Sequence, residues 1–287
     1  MIELVIDQRA RDLGGGFTVG RVLPFAKRRT VGPFVFFDQM GPITLAPGFP
    51  RTFDVRPHPH IGLATVTYLF AGALTHRDST GVHQEIRPGE VNWMVAGRGI
   101  THSERLERAR CHGATMHGIQ AWVALPTEHE ETAPAFYHHE GADLPAWNEH
   151  GVVGRLLAGE IAGRRAAVKT HSAGACRAIA AAYSERAVFV VQGVVEVGAQ
   201  ALRAGQMAVL TPGQIAPVAA AEPATVMVLG GEPVGERFLF WNFVSSSKAR
   251  LEQAKDDWRH GRFKLPPGDD QEFTPLPEDG PKGTAGA

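Results

Sequence analysis

Cysteine is scarce in this chain of 287 residues, which contains only Cys111 and Cys176. The two do not form a C-x-x-C motif, and two isolated cysteines in a chain of this size are typical of free thiols in a reducing compartment. The sequence therefore predicts that both thiols are unpaired and chemically inert.

Long apolar runs and an excess of one charge are also lacking. No stretch approaches the roughly 18 apolar residues of a membrane span, and residues 1–13 contain no apolar signal-peptide core. The 29 Lys and Arg nearly balance the 30 Asp and Glu, whereas nucleic-acid-binding proteins usually have a basic face. We therefore expect no membrane span, no signal peptide, a cytoplasmic location and no direct binding of DNA or RNA.

Glycine and proline are plentiful instead, with 33 and 20 residues, and they interrupt the chain at short intervals. Between them lie short runs rich in Val, Ile, Leu and Phe, for example at residues 34–37, 64–70 and 187–191. Short strands at regular spacing, with turn signals between them, indicate an all-β sandwich or barrel. A length of 287 residues fits two domains or one large β-rich domain.

One segment near the C-terminus has a helical pattern instead. Residues 248–260 place Leu251 and Trp258 near one face of a helix. Serines at 245–247 offer oxygens for an N-cap, and Gly261 suits the position just past the end. The sequence therefore predicts a C-terminal helix, followed by a tail rich in Pro, Gly and acidic residues that is extended or mobile.

The chain also contains an internal repeat. Residues 86–97 match residues 202–213 in the positions of Arg, of two glycines and of several apolar residues. Upstream of each copy lies an apolar run that ends in Gly, at 68–72 and at 189–193. Two copies of one strand–turn–strand unit indicate a duplicated domain.

Two pairs of side chains have the spacing of metal ligands on strands. His58 and His60 flank Pro59, and His102 and Glu104 are likewise two residues apart. Residues i and i+2 of a strand point to the same face, with about 7 Å between their Cα atoms. Because proline donates no ladder hydrogen bond, the first strand is expected at an edge or at a strand beginning.

If the two strands are neighbours, three imidazoles and one carboxylate converge on one point. Nitrogen and oxygen ligands of this kind suit Fe, Mn, Co, Ni, Cu or Zn. Four protein ligands leave two positions open on an octahedral metal, which favours a catalytic or sensing site over a closed structural zinc site. The sequence alone does not establish that the strands are adjacent.

The segments that carry these residues resemble the pirin family. The resemblance lies in residues 56–81 and 86–104, and it extends to 117–126 and 229–233. It implies a bicupin, with two tandem cupin (jelly-roll-like) β-barrels and a C-terminal helix packed against the N-terminal barrel. It also implies an iron site whose ligands match His58, His60, His102 and Glu104 of this chain. The wider cupin pattern has Glu where this chain has Ala64. Pirins take their carboxylate from the later segment, so the resemblance implies that Glu104 supplies it here.

The repeat and the resemblance together suggest domain boundaries. We expect a metal-binding barrel at 1–130, a second barrel at 131–240, and a helix with its tail at 241–287. Shifting the site by the repeat offset places residues without ligand atoms opposite the four candidate ligands: Ile179, Ala181, Val218 and Ala220. The second barrel is therefore expected to lack metal ligands, and one metal ion per chain follows.

For other polar and aromatic residues near the motif, a structural role is the preferred interpretation. His76 falls in a stretch, 76–81, that reads as a loop between strands, where it would cap a turn with Asp78. His117 and Gln120 lie on a strand and are candidates to line the first cavity, although a structural role is the preferred interpretation for the histidine. Of Trp93 and Met94, one should point inward and fill the barrel.

The resemblance implies a function as well. Quercetin 2,3-dioxygenase activity would use O2 to cleave a flavonol, releasing carbon monoxide, with Glu104 shifting from metal ligand to catalytic base. The expected cofactor is Fe²⁺, and Mn, Co, Ni, Cu or Zn also fit the ligands. The main alternative is an iron-dependent redox sensor that binds a transcriptional or metabolic protein partner. Another small phenol or keto compound as substrate stays open, and a monomer is expected.

Overall fold

A computed structural model describes residues 2–13, 16–149, 151–161, 163–168 and 183–277. These residues form 24 strands and two α-helices, with short 3₁₀ turns at Arg51–Phe53 and Thr127–His129. The fold is all-β with two cupin domains and a C-terminal helix, which confirms the fold class predicted from the sequence.

The strands of the first half of the chain are β1 (Ile2–Asp7), β2 (Arg9–Asp12), β3 (Thr18–Leu23), β4 (Phe34–Leu45), β5 (Val55–His60), β6 (Leu63–Ala71), β7 (Leu74–Asp78), β8 (His83–Ile86), β9 (Val91–Val95), β10 (Ile100–Arg105), β11 (Ala114–Ala124) and β12 (Ala135–His139). The remaining strands are β13 (Ala146–Glu149), β14 (Val152–Arg155), β15 (Glu160–Ile161), β16 (Arg164–Arg165), β17 (Glu185–Gln192), β18 (Val194–Val197), β19 (Gln200–Arg203), β20 (Gln206–Leu210), β21 (Val218–Ala219), β22 (Thr225–Gly231), β23 (Phe238–Phe240) and β24 (Phe243–Ser245). The helices are α1 (Glu107–His112) and α2 (Lys248–Arg259).

The chain divides into two compact units, each built from separate stretches of sequence. Unit 1 consists of Met1–Arg11, Val19–Gln39 and His139–Pro233. Unit 2 consists of Asp12–Thr18, Met40–His138 and Val234–Ala287. The C-terminal helix therefore belongs to the same unit as the strands that carry the candidate metal ligands, and the boundaries drawn from the sequence stay a prediction.

Unit 2 contains two sheets of antiparallel strands. One has the order β5-β10-β7-β8, and the other continues through β12-β9-β6-β11 to β4. Successive side chains of a strand point to opposite faces of its sheet. On β10, and on β5 from Pro57 onwards, the side chains of both faces are buried. One face carries the candidate site, and the C-terminal segment covers the other. The site therefore lies on strands rather than on loops.

Helix α2 is fixed to unit 2 by an apolar face and by its caps. Its buried face packs against Phe243 of β24 and against Ile61, which lies between β5 and β6. The helix contributes Leu251, Ala254 and Trp258 to this cluster. The side chain of the N-cap residue, Ser247, accepts a hydrogen bond from a backbone N–H of the first turn. The helix and its N-terminal cap are confirmed, with the last helical residue one position earlier than the sequence predicted.

Unit 1 has a four-stranded sheet of order β1-β20-β17-β22 and a three-stranded sheet of order β19-β18-β21. Its core is an aliphatic cluster of buried side chains that face one another between these strands: Val188, Val190, Val195, Val197, Leu202, Ala208, Leu210 and Ala216. None of the helices in the described ranges is long and apolar enough to cross a membrane.

Candidate metal centre

The two histidine-bearing strands, β5 and β10, are neighbours. They pair antiparallel, with His102 opposite His58 and Ile100 opposite His60. Strand β5 is the edge of its sheet, which is where a proline at position 59 is tolerated because no ladder hydrogen bond is lost. The structure therefore establishes the adjacency that the sequence left open, and it confirms the edge position of β5.

Three imidazoles converge on the face that these strands share. One ring nitrogen each from His58, His60 and His102 lies within 4.8 Å of the other two, and all three side chains are buried. The Nε2 atoms of His60 and His102 are 3.1 Å apart. No other group of three candidate ligands in the part of the chain that the structure describes comes so close together.

Backbone carbonyls set the orientation of two of these rings. The Nδ1 of His58 lies 2.9 Å from the carbonyl oxygen of Arg56, and the Nδ1 of His60 lies 3.0 Å from that of Asn242. A carbonyl oxygen only accepts hydrogen bonds, so each Nδ1 carries the proton and each Nε2 of a neutral ring presents a lone pair. Metal-binding histidines are oriented in this way in many proteins.

The geometry of the pair His60 and His102 fits a bound cation. If His102 also presents a lone pair at Nε2, two lone pairs face each other across 3.1 Å, an arrangement that is repulsive without a cation between them. Adjacent imidazole nitrogens at about 2.1 Å from one metal and about 90° apart would be about 3.0 Å from each other. The residues present therefore fit a transition metal held through nitrogen.

Burial keeps these imidazoles in the form that a metal requires. It lowers the pKa of His58 to about 4, and it lowers the pKa values of His60 and His102 well below that of a free imidazole. Metal ligands have to be unprotonated, so rings that are neutral at pH 7 bind a metal without first losing a proton.

Glu104 lies on the same face of β10, two residues after His102. Its carboxyl group is buried and accepts a hydrogen bond of 2.7 Å from Nε2 of Gln120 to Oε1. Burial raises the pKa of Glu104 to about 7. Its oxygens do not belong to the group of atoms that lie within 4.8 Å of one another, so its role as a fourth ligand stays a prediction. Gln120, which the sequence analysis named as a candidate to line the cavity, therefore contacts this site.

His76 is not in a loop, and that interpretation of residues 76–81 is wrong for its first three positions. His76 and Asp78 belong to β7, with His102 opposite Asp78 and Glu104 opposite His76. The Nδ1 of His76 lies 3.3 Å from the Nδ1 of His102, and its Nε2 lies 3.0 Å from Oδ2 of Asp78. The contact between His76 and Asp78 was expected from the sequence, but the contact with His102 was not.

Aromatic and apolar side chains complete the surroundings of the histidines. The ring of Trp122 meets that of His60 edge-on, with 5.0 Å between centroids. Met94 lies opposite Thr65, which in turn lies opposite Trp122, so Met94 rather than Trp93 shares the face of the site. His117 packs against Phe70 instead.

The structure describes some of the other positions that the sequence analysis named, but not all of them. Cys111 is exposed on α1, and Cys176, Ile179 and Ala181 lie outside the described residues. Val218 and Ala220, which the repeat aligns with His102 and Glu104, are exposed in unit 1.

Comparison with known proteins identifies the family. The sequence profile of the Pirin family matches residues 16–123, and that of the Pirin C-terminal cupin domain matches residues 167–264. The chain belongs to the pirin family. A pirin-like protein of Caulobacter vibrioides is 56% identical over 289 residues, covering 97% of this chain and all of that protein.

Solved pirin structures resemble this chain over most of its length. A crystal structure of quercetin 2,3-dioxygenase from Acinetobacter baumannii has a TM-score of 0.87 and 30% identity, covering 96% of this chain and 95% of that one. A bacterial pirin from Escherichia coli, crystallised in complex with nickel(II), has a TM-score of 0.61 and 17% identity over 81% of this chain and all of that chain. The second likeness concerns the fold alone.

Proposed function

We propose that this pirin is a metal-dependent dioxygenase that cleaves a flavonol such as quercetin, or a related phenolic compound, with O2. The observation that supports this most strongly is the convergence of three buried imidazoles beside a buried carboxyl group. The likeness to a quercetin 2,3-dioxygenase over nearly the whole chain supports the substrate class.

In this proposal His58, His60 and His102 hold one metal ion through Nε2, and Glu104 is the fourth ligand. Iron(II) is our first choice, and Mn, Co, Ni, Cu or Zn also suit nitrogen and oxygen ligands. A bound metal supplies Lewis acidity, which lowers the pKa of a phenolic hydroxyl that reaches it.

Glu104 is the proposed catalytic base. Burial raises the pKa of Glu104 when no metal is bound to it, so a carboxylate that has left the metal takes up a proton more readily than an exposed one. In this proposal Glu104 shifts from metal ligand to base: the hydrogen bond from Gln120 to Oε1 is kept, and Oε2, released from the metal, takes the hydroxyl proton of the substrate. Trp122 and Met94 offer apolar contacts for an aromatic substrate and limit the access of water.

Turnover and metal content of the same sample test this function. The protein is purified without oxygen, its metal is measured by elemental analysis, and flavonol loss is followed together with oxygen uptake. About one metal ion per chain with flavonol cleavage is the expected result. Stoichiometric metal without turnover would contradict the dioxygenase and favour the redox-sensing alternative.

The role of Glu104 has its own test. Glu104→Gln keeps the shape of the side chain but not its ability to accept a proton, so turnover should fall by roughly 10²-fold or more while metal content falls much less. Glu107→Gln makes the same chemical change at an exposed ion pair on α1 and serves as the matched control. Full turnover in Glu104→Gln would reject the base.

A further inference from the structure

His102 differs from the other two histidines in what holds its ring. His58 and His60 are held by backbone carbonyls, which no substitution removes. The Nδ1 of His102 faces a side chain instead, the Nδ1 of His76 at 3.3 Å. The orientation of His102 therefore depends on a side-chain contact, which a substitution can remove.

Hydrogen bonds from Thr80, in the turn that follows β7, fix the carboxylate of Asp78. Its Oδ1 accepts hydrogen bonds from the backbone N–H of Thr80 at 2.8 Å and from the hydroxyl of Thr80 at 2.6 Å. Its Oδ2 lies 3.0 Å from Nε2 of His76. Asp78 is fully buried, so this carboxylate has one orientation and points Oδ2 at His76.

These contacts determine the direction of each hydrogen bond. A carboxylate only accepts, so Nε2 of His76 is the donor, and Nδ1 of a neutral His76 ring has a lone pair. That lone pair accepts the Nδ1–H of His102. His102 then presents its own lone pair at Nε2, the atom that lies 3.1 Å from Nε2 of His60.

The place of His76 is behind His102 rather than beside it. Its Nδ1 faces the Nδ1 of His102, on the side of the ring away from His60, and His76 is not one of the three rings that converge. Its own ring stacks on Phe136, with 4.4 Å between centroids and 23° between planes. The ring of His76 is therefore held on its flat face by stacking and at both nitrogens by hydrogen bonds.

We propose that Asp78 and His76 are positioning residues, which together hold His102 in the tautomer and orientation that bind a metal. This inference rests on the metal binding in the proposed function, and it does not depend on which substrate is used. Outer hydrogen-bond partners of this kind typically contribute 10–100-fold to metal affinity, and an effect of about that size is expected here.

Asp78→Asn is the sharpest variant. Its Oδ1 can still accept from Thr80, so the turn is kept, while an amide NH2 replaces the oxygen that faces His76. The NH2 group donates to Nε2 of His76 and forces the proton onto Nδ1, where it opposes the Nδ1–H of His102. Metal affinity, measured by calorimetric titration with Zn²⁺, should fall by about 10-fold or more.

A pair of substitutions at position 76 separates positioning from packing. His76→Phe keeps the stacking on Phe136 but removes the acceptor, so it should weaken zinc binding by a similar factor. His76→Asn retains an oxygen acceptor near the place of Nδ1 and should recover part of the affinity. Arg77→Gln, on the same strand but paired with the exposed Glu107, is the control and should bind zinc like the wild type.

The tautomers themselves are the decisive readout. In the zinc-loaded protein, ¹⁵N NMR of the imidazoles should show the proton of His76 on Nε2 in the wild type and on Nδ1 in Asp78→Asn. A wild-type His76 with its proton on Nδ1, or unchanged zinc affinity in both Asp78→Asn and His76→Phe, would overturn the inference. A wild type that binds no metal would instead overturn the proposed function.

Discussion

The two units share a pattern of strand pairing, but the side chains at matching positions differ in polarity. In unit 2, Thr67 of β6 lies opposite Asn92 of β9. The internal repeat aligns these residues with Val188 of β17 and Ala208 of β20, which also lie opposite each other, in unit 1. All four side chains are buried, so the same structural position is polar in one unit and aliphatic in the other.

The next side chain across the sheet continues the difference. Gln120, opposite Thr67, donates to Glu104 in unit 2, whereas Val188 and Ala208 belong to a packed aliphatic cluster in unit 1. Polar side chains can orient ligands of a metal, and aliphatic ones contribute stability through burial. The comparison places the candidate metal centre in unit 2, whereas the described core of unit 1 is aliphatic.

The largest effect is expected from His60→Ala. This substitution removes one of the two nitrogens that lie 3.1 Å apart, so metal affinity should fall by more than the roughly 10–100-fold that outer partners contribute. Calorimetric titration measures it, with Leu202→Ala in unit 1 as the control. Wild-type affinity in His60→Ala would mean that the cluster does not bind the metal.

Leu202→Ala should be costly for stability but not for metal binding. Leu202 is fully buried in the aliphatic cluster of unit 1, and removing such a side chain typically costs about 2–5 kcal/mol. Urea denaturation gives the change in the free energy of unfolding. A loss below about 1 kcal/mol, or a loss of bound metal, would contradict this division of roles.

A smaller effect on the free energy of unfolding is expected when a polar and an aliphatic side chain are exchanged at the matching positions 67 and 188. Val188→Thr places a hydroxyl among aliphatic side chains, at a cost of roughly 1–3 kcal/mol. Thr67→Val, the reverse change at the matching position, should cost less, because it replaces a hydroxyl by a methyl group of similar size and places no polar group in an apolar cluster. Equal losses in the two variants, measured by urea denaturation, would show that the two faces are not different environments.

The smallest effect is expected at the cap of α2. Ser247→Ala removes the side-chain acceptor for the backbone N–H of Arg250, which typically costs about 1 kcal/mol. The loss should affect the transition that bound metal stabilises, because α2 belongs to unit 2. Ser247→Asp keeps an acceptor and should unfold like the wild type in differential scanning calorimetry, whereas an equal loss in both would argue against capping.

The sequence predicted those features of the site that depend on local spacing. The i, i+2 spacing placed His58 and His60 on one face of their strand, and Pro59 predicted that this strand lies at an edge. The serines before residue 248 predicted the cap of α2. That the two histidine strands are neighbours did not follow from spacing and needed the structure. The contact of His76 with His102 was missed, and the partner of Gln120 was not identified. Both depend on which strands are neighbours: β7 on β10, and β11 across from Glu104.

The C-terminal tail shows the same limit. Its composition indicated only an extended or mobile segment, yet Asp269 accepts hydrogen bonds from Ser103 at 2.6 Å and from Nε of Arg105 at 2.8 Å. These residues alternate with His102 and Glu104 on β10, so the tail holds the outer face of the metal-binding strand. No local pattern reveals an ion pair between residues that are 164 positions apart.

The most direct test of the central claim is a crystal structure of the metal-loaded protein, with anomalous scattering recorded at the absorption edge of the metal. The account predicts one anomalous peak per chain, bonded to Nε2 of His58, His60 and His102. A peak elsewhere, or no peak in crystals that contain stoichiometric metal, would contradict it.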